Sequence, residues 1–101
     1  KGELKDHYGA IADYTKAIEI DPKYEDAYFG RGYSKDELKD YYGAIADYTK
    51  AIEINPNYYQ AYTNRGISKE RIEDMKGACA DWRKASDLGV EDAAKWLRDQ
   101  C

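Results

Sequence analysis

The stretch YYGAIADYTKAIEINPNY, Tyr41 to Tyr58, repeats almost letter for letter HYGAIADYTKAIEIDPKY, His7 to Tyr24. Extended outward, Lys1 to Tyr24 aligns with Lys35 to Tyr58 at an offset of 34 residues, and only Gly2/Asp36, His7/Tyr41, Asp21/Asn55 and Lys23/Asn57 differ. A more divergent third copy follows at the same spacing, where KDYYGAIADYTKA from Lys39 becomes EDMKGACADWRKA from Glu73. Self-similarity at a fixed period of this size points to a stacked repeat architecture, in which each unit buries its apolar face against the next.

Inside each copy the spacing is helical. Ala10, Ile11, Tyr14, Ala17 and Ile18 fall on one helix face, and Ala44, Ile45, Tyr48, Ala51 and Ile52 repeat them. The third copy reads Ala78, Cys79, Trp82, Ala85 and a shifted Leu88. Asp6, Asp40 and Asp74 stand where an N-cap can accept from the first free backbone N–H groups. Asp21-Pro22 and Asn55-Pro56 stop the first two of these helices, and Gly89 suits the C′ position of the third. Between them the spacing predicts a second type of helix, from Tyr24 to about Leu38 and from Tyr58 to about Ile72. Gly32 and Gly66 lie inside these helices, where glycine costs about 1 kcal/mol against alanine, so close approach of a partner helix is expected there. The final VEDAAKWLRDQC puts Val90, Ala93, Ala94, Leu97 and Cys101 on one face and polar residues elsewhere, as a capping helix requires, with Trp96 beside the stripe.

The composition narrows the function classes. With 36% charged residues and a net charge of −4, the 101-residue chain offers no basic patch for phosphate neutralisation, which argues against nucleic acid as a partner. No apolar run approaches a membrane span, so no membrane partner is expected. No catalytic, metal or cofactor constellation stands out: His7 is the sole histidine and has no nucleophile beside it. Asp13, Asp47 and Asp81 precede Lys16, Lys50 and Lys84 by three residues and read as surface ion pairs on a solvated face. Cys79 stands where the sister copies have Ile11 and Ile45 and reads first as a small buried hydrophobe. A disulfide to Cys101 is also geometrically open, since folding the chain about Gly89 and Val90 brings the two level. The compartment stays open, with a reducing cytoplasm slightly favoured.

The pattern resembles the tetratricopeptide repeat on Tyr28 and Gly32 followed by Ala44, Tyr48, Ala51 and Pro56, and again on Tyr62 and Gly66 followed by Ala78, Trp82 and Ala85. The first copy keeps Ala10, Tyr14, Ala17 and Pro22. The resemblance implies an all-α, right-handed superhelical α-solenoid of antiparallel helix pairs in a single domain. It divides as a partial repeat over 1–24, repeats over 25–58 and 59–89, and a capping helix over 90–101. It also implies a scaffold that binds a peptide or helix of a partner protein in a concave groove. The groove residues would be Asp26, Phe29, Gly30, Tyr33, Asp36 and Glu37, then Gln60, Thr63, Asn64, Ile67, Glu70 and Arg71. Phe29, Tyr33 and Ile67 would give apolar anchorage, and the carboxylates would favour a ligand with basic residues. The subclass that grips chaperone C-terminal carboxylates is not expected, because Phe29 and Tyr33 stand where a lysine and an asparagine would be wanted.

Two departures from the family pattern suggest an alternative function, a self-assembly module. Lys5, Lys39 and Glu73 stand where the family turns through a glycine, so Leu38, Lys39 and Asp40 could open into one long helix and exchange between chains. The helix from Asp6 to Ile20 also has no first-helix partner in this sequence, so a side bearing some of Tyr8, Ile11, Tyr14 and Ile18 is expected to be covered either by an upstream repeat or by another chain, as in a homodimer.

Overall fold

A computed structural model describes residues 6–101. Among them there are six helices and no strand: α1 (His7–Ile20), α2 (Glu25–Glu37), α3 (Tyr41–Ile54), α4 (Tyr59–Arg71), α5 (Met75–Asp87) and α6 (Glu91–Gln100). Each packs on the next in the chain, α2 against α3 and α4 against α5 most extensively, and α2 also touches α4. The result is an α-solenoid measuring 38 × 29 × 21 Å.

The local signals act as the sequence reading expects. The side chains of Asp6, Asp40 and Asp74 accept from the backbone N–H groups of Gly9, Gly43 and Gly77 at 2.8, 3.0 and 2.9 Å. Asp21 and Asn55, each followed by proline, are extended and end α1 and α3. Gly89 takes φ +103°, and Val90 N–H donates back to the Ala85 carbonyl to close α5. The turns without glycine reach the same geometry at higher cost. Lys39 (φ 66°) and Glu73 (φ 65°) sit in the left-handed region, and the next residues, Asp40 and Asp74, donate their N–H to the carbonyls of Lys35 and Lys69. The chain therefore closes locally at Leu38 to Asp40.

The core runs along the helix pairs. Ala44, Tyr48, Ala51 and Ala61 form one buried cluster, and Tyr62, Ala78, Trp82, Ala85 and Ala93 form the next. The mid-helix glycines make these contacts fit: a Cβ on Gly32 would stand 2.9 Å from the Tyr48 ring, and one on Gly66 2.5 Å from the Trp82 indole nitrogen. Close packing thus offsets the helix penalty of both glycines.

At the C-terminal end two side chains take positions that the sequence left open. Trp96, beside the apolar stripe, turns inward, its ring centroid 5.2 Å from that of Trp82. Cys79 is half-buried, not buried, and forms a disulfide with the exposed Cys101 across a Cα separation of 6.1 Å. At the other end α1 has no buried residue, and Tyr8 and Ile20 are 74% and 80% exposed.

Candidate partner-binding groove

Two sets of side chains occupy the junctions between helices. The first consists of charged clamps. Arg31 of α2 donates to both carboxylate oxygens of Asp47 on α3, at 2.8 and 2.9 Å, and reaches back to the Thr15 hydroxyl on α1 at 3.2 Å. Lys35 approaches the same carboxylate at 3.1 Å. One repeat later Arg65 bonds Asp81 at 2.7 and 2.9 Å and Thr49 at 3.0 Å, with Lys69 at 3.1 Å from Asp81. The hydrogen bonds to Asp47 hold the Arg31 guanidinium pKa above its ordinary value, more than burial lowers it.

This corrects the reading of the aspartates as a solvated face with lysines three residues on. Asp47 and Asp81 are each only 4% exposed and are satisfied from the preceding helix, while Lys50 lies 3.9 Å from Glu53. Only Asp13, in α1, is exposed. The reading missed Arg31 and Arg65, although a signal was present: RGYSK and RGISK share arginine, glycine, serine and lysine while the residue between varies.

The second set lines a cavity of about 160 Å³ between α2 and α4, bounded by Tyr33, Asp36, Glu37, Asn64, Ile67 and Arg71. Six of the twelve expected groove residues therefore meet in one place. Its volume suits a side chain or two more than a whole small molecule. Tyr33 is 49% exposed and Glu37 and Arg71 are exposed, whereas Asp36 and Asn64 are half-buried. Asp36 accepts from the Ser68 hydroxyl at 2.8 and 2.9 Å and from the Tyr48 hydroxyl at 3.2 Å. Burial raises the Asp36 pKa, and these two hydrogen bonds offset part of the rise. Burial also raises that of Tyr48. The Asp36 carboxylate thus forms the floor of the cavity and joins the two repeats.

The other expected residues are placed elsewhere. Phe29 packs its ring on Tyr58 and Tyr48, at centroid distances of 5.1 and 5.6 Å, so it supports the junction rather than an open anchor. Asp26 accepts from the Tyr58 hydroxyl at 2.7 Å, and burial, reinforced by that bond, raises the Tyr58 pKa. Gly30 lies against the Tyr14 ring. Thr63 bonds the Tyr59 carbonyl, while Gln60 is exposed and Glu70 half-buried, both outside the cavity lining.

The geometry agrees with what the chain resembles. A tetratricopeptide repeat family model matches residues 25–58, and a second TPR repeat model matches residues 3–35. The first TPR domain of Spaghetti (RPAP3), solved with the HSP90 peptide SRMEEVD, superposes with a TM-score of 0.89 at 25% identity, over 96% of this chain and 79% of that one. The Arabidopsis OM64 TPR domain superposes at 0.88 with 31% identity, over 98% and 86% of the two chains. MamA gives 0.83 at 29% identity over 92% of this chain, which spans about half of MamA (54%). No curated protein sequence matches the chain. Repeat spacing, helix-pair packing and two family models agree with a 31% identical TPR domain aligned over nearly the whole length, and the chain belongs to the tetratricopeptide repeat family.

Proposed function

We propose that this protein–protein interaction module holds an extended peptide or helix of a partner between α2 and α4, with a basic side chain of the ligand directed to Asp36 and Glu37. The observation that carries this reading is the shared cavity, in which two carboxylates, the Tyr33 and Ile67 apolar surfaces and the Asn64 amide converge from two repeats. Tyr33 and Ile67 would pack on the aliphatic stem of a lysine or arginine, and Asn64 would bond the ligand backbone. Arg71 at the rim adds a contact for a carboxylate nearby on the ligand.

The relative solved with an HSP90 peptide shows that such a fold can grip an acidic sequence. Here the balance of the cavity is acidic, so a basic peptide is the preferred ligand. Fluorescence anisotropy with labelled lysine- or arginine-bearing peptides, with SRMEEVD as the acidic comparator, tests the assignment. Preferential capture of basic peptides, weakened by Tyr33→Ala and by Glu37→Lys, is the expected result. Equal or tighter binding of the acidic peptide would overturn it.

A second reading is exchange of helices between two chains at Leu38 to Asp40. The left-handed Lys39 favours it, because a non-glycine residue there costs about 1 kcal/mol that an extended helix would release. Light scattering across a hundredfold concentration range separates the two readings. A monomer near 11.6 kDa throughout supports the groove with closed turns.

A further inference from the structure

We infer that Glu37 and Arg71 read the polarity of the ligand, selecting for the groove an extended peptide with one basic and one acidic residue two places apart. The inference rests on the groove reading above and names the class of peptide that the cavity takes. The two groove helices agree at the residues that build the helix junctions, Arg31/Arg65, Gly32/Gly66, Ser34/Ser68 and Lys35/Lys69. Between Glu25–Glu37 and Tyr59–Arg71, the pair Glu37/Arg71 is the one matched position at which they carry opposite charges. Both side chains are exposed and line the same cavity.

Neither charge is spent inside the protein. Arg31 and Lys35 are neutralised by Asp47, and Arg65 and Lys69 by Asp81, whereas Glu37 and Arg71 join no ion pair among the described residues. Arg71 lies instead over the Tyr41 ring, its guanidinium carbon 5.8 Å from the ring centroid. A stacked guanidinium keeps its N–H donors free at the edge of its plane, where they fit a carboxylate at two points. Tyr41 is also the one residue in which α3 departs from α1, which has His7 in its place. The ring and the arginine change together between copies: His7 goes with Glu37, and Tyr41 with Arg71. Tyr41 is thus a positioning residue for Arg71.

Asp36 adds negative charge from the floor but is held by Ser68 and Tyr48, so Glu37 is the acid at the open edge. The cavity therefore presents an acidic edge on α2 and a basic edge on α4. These two helices touch, and packed helices stand about 8–10 Å apart. In an extended peptide, side chains two places apart share one face at a spacing of about 7 Å, which lysine and glutamate stems stretch to that span. A doubly basic ligand would set its second cation against Arg71, a like-charge contact that rejects it.

The test measures the anisotropy of labelled GSKAESG, GSEAKSG and GSKAKSG on the full chain and on three variants, each first checked for helicity by circular dichroism. One of the two dipolar peptides should bind the native chain about fivefold tighter than GSKAKSG, the upper scale of an exposed charge pair. Arg71→Glu should reverse that order in favour of GSKAKSG. The double variant Glu37→Arg/Arg71→Glu should invert which of GSKAESG and GSEAKSG binds better. Tyr41→His should shrink the margin of the dipolar peptide and leave GSKAKSG unchanged, which general loss of structure would not do. Native binding of GSKAKSG as tight as that of the dipolar peptides, or an order that Arg71→Glu leaves unchanged, overturns the inference while the groove reading stands. Absence of binding by all three peptides overturns both.

Discussion

Arg31 on α2 grips Asp47 on α3 at two points, Nη2 to Oδ1 at 2.8 Å and Nε to Oδ2 at 2.9 Å. The carboxylate is nearly removed from solvent, with its side chain 6% exposed, and Lys35 completes its shell. Removing the acid leaves two cations facing a closed helix junction. Asp47→Ala and Asp81→Ala should each cost about 3 kcal/mol, the scale for breaking a buried pair. Urea denaturation checks this, and a loss under about 1 kcal/mol would place the pairs with ordinary surface bridges.

Gly66 has its α-carbon against the Trp82 indole, and a Cβ would stand 2.5 Å from the ring nitrogen. Alanine is the better helix former, so propensity alone predicts stabilisation. Overpacking of a buried indole outweighs it, and Gly66→Ala should destabilise by about 1–3 kcal/mol. An unchanged thermal midpoint would show that α4 and α5 can separate without loss.

At Lys39 the direction reverses. Its φ of 66° is easy for glycine and costly for lysine. Lys39→Gly should raise stability by about 0.5–1 kcal/mol, after allowing for the greater freedom of glycine in the unfolded chain. Glu73→Gly should do the same, and the two effects should add, because the sites lie in separate turns.

The disulfide ties α6 to α5 across a sequence separation of 22 residues. On the loop-entropy model a closure of that length contributes about 3 kcal/mol. Cys101→Ser, or reductant added to the native protein, should lower the denaturation midpoint by a comparable amount. Because Ala93, Leu97 and Trp96 still pack on the core, α6 should remain helical by circular dichroism.

Asp36 titrates against the fold. Burial raises its pKa above the ordinary 3.8, despite hydrogen bonds from Ser68 and Tyr48 and the nearby Arg71. A carboxyl raised in the folded state contributes stability that is fully present below 3.8 and is lost as pH rises through the folded value. Carbon-detected NMR should place the Asp36 midpoint above 3.8, and Asp36→Asn should remove this component of the pH dependence. A midpoint at or below 3.8 contradicts the burial argument.

The sequence by itself determined the helices, their ends and their repetition. Asp6, Asp40 and Asp74, the two prolines and Gly89 act within a few residues of where they stand, so a linear reading captures them. Gly32 and Gly66 were legible for the same reason: a glycine inside a helical pattern announces a close contact, though not with which side chain. The convergence of Tyr33, Asp36, Glu37, Asn64, Ile67 and Arg71 on one cavity was legible too, because they recur at matching positions of two repeats. Tertiary structure alone decided which charges are paired. Spacing along one helix offered Lys50 to Asp47, but Arg31, 16 residues earlier, comes from a helix packed directly over the carboxylate. It also decided that Phe29 packs on Tyr48 and Tyr58 and that Trp96 turns in on Trp82. A side chain on a helix has neighbours on both sides, and only the packing of the helices selects between them.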